Sequence, residues 1–155
     1  MKLYFAHNFN DRKEMRAIEL ELEKQLNIEL FNPFYDDPTR VAEMKELDSR
    51  GTSDTARTLR FKNSFNRDDD DARLIVRRDL QNLAGCDGLF TIVKEPSFGT
   101  TIEICNAVLM RKPVYFVSEK YCNHPWIKVY ATKIFKDVTV FAAHIHSIQT
   151  EGKIQ

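Results

Sequence analysis

The segment Pro96-Ser97-Phe98-Gly99-Thr100-Thr101-Ile102-Glu103 offers the sharpest chemistry in the chain. It reads as a strand-to-helix turn, where Gly99 lets backbone approach a ligand and unpaired helix N–H groups face an anion. On this reading Glu103 lies in the first helical turn, and the positive end of the helix dipole is expected to keep its carboxyl ionised. An ionised carboxylate aimed into a pocket is what a nucleophile attacking a sugar C1 requires. The same Thr100-x-x-Glu103 spacing is also a capping box, which needs no function. Spacing alone leaves both open. Asp79, between Arg78 and Gln81, is a candidate acid or a solvated charge on a helix face, and Tyr4 a candidate orienting group or a core aromatic. No G-x-G-x-x-G and no G-x-x-x-x-G-K-[ST] is present, so dinucleotide and P-loop fingerprints are absent from the sequence.

The elements that would position these groups alternate. A β-prone run over 2–7 precedes a helix opened by Asp11 as N-cap, with Glu14 at capping-box spacing. Met15, Ile18, Leu22 and Leu26 form one apolar stripe on that helix. A second strand over 28–31 stops at Asn32-Pro33. Residues 35–71 are polar and end in Asp68-Asp69-Asp70-Asp71; they read as a flap holding a short helix, for which Val41, Met44 and Leu47 have the spacing. A helix over 74–84 stops at Gly85, and strands follow over 88–93 and 113–117 around a helix over 100–110. The stretch 121–135 is expected to be partly helical, and Val138-Thr139-Val140-Phe141 to form a fifth strand. This order predicts an α/β fold, a parallel sheet with helices on both faces, whose ligand sits at the carboxyl ends of the strands. The loops after the first and third strands and the flap are then where chemistry belongs.

With the elements placed, Tyr4-Phe5-Ala6, Phe9-Asn10-Asp11-Arg12, Asp79-Leu80 and Gly99-Thr100-x-x-Glu103 together resemble the nucleoside 2-deoxyribosyltransferase superfamily, from Leu3 to about Phe141. The resemblance implies one flavodoxin-like (Rossmann-like) domain over 1–150, with a five-stranded parallel sheet, that cleaves the N-glycosidic bond of deoxynucleosides or deoxynucleotides. It implies Glu103 as nucleophile, Tyr4 as the residue that orients it, and Asp79 as a substrate contact that assists protonation of the departing base. Phe9 would pack on the base. Where the transferases carry an aspartate six residues before the nucleophile, this chain has Ser97. Pro-Ser-x-Gly-x-x-x-Glu is similar to the superfamily's 2'-deoxynucleoside 5'-monophosphate N-hydrolases, whose serine helps bind phosphate; an aspartate there would repel it. Phe9-x-Asp11-Arg12 is more like the transferases, while Asn8 and Arg12 are placed to reach a phosphate. The resemblance further implies a homo-oligomer, with Asn123, after the fourth strand, contacting base or sugar.

Composition narrows the rest. Lys plus Arg and Asp plus Glu each total 23, a balance that argues against a nucleic-acid partner. The longest apolar runs fall short of the ~18 residues a membrane helix needs, and MKLYFAHNF lacks the features of a leader. Cys86, Cys105 and Cys122, odd in number and widely spaced, predict buried hydrophobes in a reducing cytoplasm, with neither disulfide nor zinc site. The acidic run 68–71 reads as a solvated loop, and the four histidines lack ligand spacing, with His7 a candidate pocket residue. Neither metal nor cofactor is required by the mechanism. A nucleotide-sensing module of similar fold, binding without turnover, is the rival from another class.

Overall fold

Short apolar strands alternating with amphipathic helices give a five-stranded parallel sheet in the order β2-β1-β3-β4-β5, the flavodoxin-like arrangement. The structure, a computed structural model, describes residues 1–49 and 69–151. The strands are β1 (Lys2–Ala6), β2 (Glu29–Phe31), β3 (Gly88–Ile92), β4 (Val114–Val117) and β5 (Lys133–Phe135). The helices are α1 (Arg12–Gln25), α2 (Pro38–Ser49), α3 (Asp69–Ala84), α4 (Phe98–Leu109), α5 (Pro125–Tyr130) and α6 (Val138–Glu151). Among the described residues no helix is long and apolar enough to cross a membrane.

Period-two alternation divides the core. Leu3, Phe5, Phe90, Ile92, Tyr115 and Val117 point to one face, against Met15 and Leu22 of α1 and Phe141 and Ile145 of α6. Tyr4, Ala6, Leu89, Val114 and Phe116 point to the other, against Leu83 of α3, Ile104 and Ala107 of α4, and α5. Gly88 is required at the β3 entrance, because a Cβ there would stand 2.9 Å from both the Pro113 carbonyl and its ring.

Several expectations are corrected. The fifth strand is Lys133–Phe135, and 138–141 opens α6 instead. Asp137 accepts the Val140 N–H at 2.9 Å, and Phe141 and Ile145 bury one helical stripe, so local β-propensity loses to capping and tertiary packing. The acidic run is no loop: Asp69, Asp70 and Asp71 form the first turn of α3, where the helix dipole favours them, and Asp68 lies outside the described residues. Asp11 makes no side-chain cap on α1; Asn8 caps a preceding 3-10 turn (Phe9–Asp11), and Glu14 pairs with Lys94 at 2.5 Å. Of the cysteines only Cys86 is buried, its thiol pushed up to about 11 by burial; Cys105 and Cys122 are partly exposed. The flap contains α2, and residues 50–68 lie outside the described residues.

One buried acid escaped the sequence pattern. Glu19, fully buried on α1, accepts the Asn32 side-chain N–H at 2.6 Å and a bond from the Arg16 guanidinium. Asn32 Oδ1 accepts the Phe34 N–H at 3.1 Å and faces His7 Nε2 at 3.2 Å. This network ties the ends of β1 and β2 to the turn that leads into α2. Burial pushes Glu19 up to about 7, outweighing the Asn32 bond and the Arg16 charge. A raised carboxyl supplies stability that is fully present below its unfolded value, near 4.5, and lost as pH climbs through about 7. Compared with Glu19→Gln, the native protein is therefore expected to lose relative stability between pH 5 and 8, by at most about 3 kcal/mol. Thermal unfolding of both proteins across that range checks it; a flat difference contradicts it.

Candidate active site

The sheet changes winding direction between β1 and β3, and Tyr4, Asp79 and Glu103 come near one another there. Beyond β3 the chain turns, and α4 begins at Phe98 with Ser97 as N-cap. The Ser97 hydroxyl accepts the Thr100 N–H at 3.3 Å and donates to Thr100 Oγ1 at 2.9 Å. The helix thus starts two residues earlier than its pattern suggests, because serine in extended backbone is a strong cap. Thr100 is its third residue and Glu103 its sixth. Glu103 therefore takes no part in a capping box, and it lies beyond the first turn that was expected to hold it ionised.

Instead Glu103 turns to the sheet, where the Tyr4 hydroxyl donates to its Oε1 at 2.7 Å. Burial pushes the Glu103 carboxyl up to about 7; the Tyr4 bond and the Arg40 charge pull it down, and Asp79 pushes it further up. Tyr4 is completely buried, and burial together with the nearby Glu103 and Asp79 holds its phenol well above the usual range. It remains a donor at any working pH. Asp79, on α3, accepts from Arg40 at 2.5 Å through Oδ2, while its Oδ1 is buried without a hydrogen-bond partner. Burial raises Asp79 as well, against the Arg40 and Arg78 charges and with the help of Asp37. Tyr4 is a core aromatic and is also bonded to the Glu103 carboxyl, while Asp79 is not a solvated charge.

Two residues that entered no motif complete the wall. Phe34 packs edge-on against Phe9 with ring centres 5.6 Å apart, and the Arg40 guanidinium lies 5.1 Å from the Phe34 ring. The contacts thus run from Phe9 through Phe34 and Arg40 to Asp79. The Arg12 guanidinium lies over the Phe9 ring at 4.5 Å, and Asn8 is engaged as a cap, accepting from the Asn10 N–H at 3.0 Å. Among the described residues, and apart from its chain neighbours and its own helix backbone, nothing comes within 4 Å of where a Cβ on Gly99 would stand. His7 is buried between Asn8 and Asn32 and acts in the β1–β2 network described above. Asn123 is exposed in the turn before α5 and is not hydrogen-bonded to Tyr4, Asp79 or Glu103. Among the described residues no cluster of three or more His, Cys, Asp or Glu side chains is arranged to hold a metal ion.

Chemically, two neighbouring carboxyls that burial makes harder to ionise share a site with one phenol donor and one guanidinium. Acid-assisted nucleophilic displacement needs a carboxylate that attacks and a second acid that assists, and this site holds both carboxyls.

No family model matches the sequence, and no curated protein matches it. Among solved structures, a 2-deoxyribosyltransferase from the psychrotolerant bacterium Bacillus psychrosaccharolyticus is similar over 92% of this chain and 90% of that one, with a TM-score of 0.58 and 20% identity. The chain has the fold of a 2-deoxyribosyltransferase. A conserved protein from Enterococcus faecalis V583 aligns with 96% of this chain and 87% of its own, at a TM-score of 0.46 and 14% identity. Within the 2-deoxyribosyltransferase fold, the Tyr4–Glu103 bond joins β1 to the helix after β3, and the Asp79 charge on α3 acts on both.

Proposed function

We propose that the protein is an enzyme of the nucleoside 2-deoxyribosyltransferase superfamily that cleaves the N-glycosidic bond of 2'-deoxynucleotides or 2'-deoxynucleosides. The observation that carries this reading is the Tyr4–Glu103 hydrogen bond, on which the Asp79 charge acts. Ionised Glu103 attacks the anomeric carbon, the C1'–N bond breaks, and its electron pair leaves with the base. Asp79 assists by giving a proton to the ring, which is otherwise a poor leaving group. Tyr4 holds the attacking carboxylate in line. The glycosyl ester on Glu103 is then opened by water or by a second base.

Our finer reading is a 2'-deoxynucleoside 5'-monophosphate N-hydrolase, supported by a serine hydroxyl at the start of α4 and by a Gly99 that no neighbour among the described residues crowds. Exchange of bases between deoxynucleosides is the second reading, favoured by Phe9-x-Asp11-Arg12 and by the fold of the Bacillus enzyme. A second copy of the chain is proposed as partner. Supporting it, Phe98 beside Ser97 is 89% exposed, and the outer surfaces of α3, α4 and α5 expose Val76, Ile102, Leu109, Trp126 and Val129.

Chromatography of reactions containing deoxynucleosides or their 5'-monophosphates, each with and without a second free base, tests the reading. Base released from monophosphates without acceptor establishes the hydrolase; a new nucleoside formed only with acceptor establishes the exchange. Ser97→Asp separates the role of the serine, because aspartate is an equally good N-cap and leaves α4 intact. It is expected to raise KM at least about tenfold for monophosphates, by charge repulsion, and to leave nucleosides nearly unchanged. Equal effects on both would remove the phosphate from Ser97.

A further inference from the structure

Arg40 belongs to no motif, yet its charge acts on Tyr4, Asp79 and Glu103 alike. Its position is built from two sides. Asp37 accepts the Thr39 N–H at 2.9 Å and the Arg40 N–H at 3.3 Å, and with Pro38 this fixes the first turn of α2. The guanidinium lies against Phe34, which is itself held by Asn32 and packed between the His7 and Phe9 rings. From there it donates to Asp79 Oδ2. The other carboxylate oxygen, Oδ1, is buried and has no partner.

An unpartnered buried carboxylate oxygen is costly and calls for an explanation. A substrate atom that donates to it, or a proton that it carries to the base, supplies one. We propose that Arg40 is a positioning residue that engages one oxygen of Asp79 and so leaves the other as the single contact presented to the substrate. This rests on the proposed glycosidic cleavage and adds to it a residue that sets the state of its acid. Among the described residues, the charged and titratable groups around Asp79 are Arg40 of α2, Asp37 just before it, Arg78 on its own helix, Tyr4 from β1 and Glu103 from α4. Arg78 reaches toward Asp37 at 3.4 Å, as does the Asn82 amide, which leaves Arg40 as the cation bonded to Asp79. Lysine would keep the charge but lose the planar fork that fixes a carboxylate's orientation.

The experiment compares wild type, Arg40→Gln and Arg40→Lys by carboxyl 13C NMR titration and by kinetics. Arg40→Gln is expected to move the titrations of Asp79 and Glu103 to higher pH and to lower kcat by about ten- to hundredfold with KM little changed. Arg40→Lys is expected to keep the titrations near their native positions while kcat stays low. Unmoved titrations in Arg40→Gln overturn the proposal, as does full activity in Arg40→Lys. A loss confined to KM for 5'-monophosphates also overturns it and makes Arg40 a phosphate ligand. If wild type turns over no deoxynucleoside or deoxynucleotide, the glycosidic reading fails, and the titrations still decide whether Arg40 governs Asp79.

Discussion

Glu103→Gln is expected to lower turnover at least about 10^3-fold while substrate still binds. Glutamine has the shape of glutamate, and its amide oxygen can still accept the Tyr4 hydroxyl, so the packing of α4 on β1 is retained. What it lacks is the anionic oxygen that must bond to C1' as the base departs. Base release by chromatography and binding by calorimetry should therefore separate: catalysis lost, affinity within a few-fold of wild type. A variant that remains within tenfold of native activity would take the nucleophile's role from Glu103. The same pair of measurements separates an enzyme from a nucleotide-sensing module, whose binding response would be the whole of its activity.

The second large effect concerns pH. Burial holds Glu103 at about 7, so the ionised nucleophile becomes more abundant as pH rises through that value. kcat/KM is expected to climb from pH 5.5 to about 7.5, each unit below the midpoint costing close to tenfold. The Tyr4 hydroxyl favours the ionised carboxyl, because a donor stabilises the charged form. Tyr4→Phe is therefore expected to move this limb to higher pH by roughly one to two units, the worth of a hydrogen bond to a charged group. At pH 6 the variant should be about ten- to hundredfold slower than wild type, and it should recover part of the loss by pH 8.5. Asp79 and Glu103 influence one another, so the measured midpoints belong to the pair. A Tyr4→Phe profile parallel to that of wild type would confine the phenol to packing.

How much of this was legible depends on how local each cause is. The strands β1, β3 and β4 stand out because both sheet faces are covered, which makes their apolar runs nearly continuous. The edge strand β5 has three residues, too few to show a pattern, whereas the β-branched start of α6 imitates a strand until Phe141 and Ile145 are seen on one stripe. The turn around Gly99 and the resemblance single out Glu103, but neither shows its environment. A two-residue shift in the start of α4, set by which hydroxyl caps the helix, exchanges a dipole-held carboxylate for one governed by burial. Arg40 and Phe34 were invisible for another reason. Arg40 and Asp79 are 39 positions apart, and nothing short-range in either segment announces their pairing. Glu19 follows the same rule: it looks like a solvent-facing helical charge until Asn32, 13 residues later, is brought over it.

The most direct test of the account is the identity of the covalent intermediate. Wild type mixed with a 2'-deoxynucleoside 5'-monophosphate, quenched in acid within its first turnovers and digested, is expected to yield the peptide containing Glu103 with a deoxyribosyl phosphate attached, while Glu103→Gln yields none. Base released while that peptide stays unmodified, or an adduct on any other residue, would contradict a glutamate nucleophile at this site.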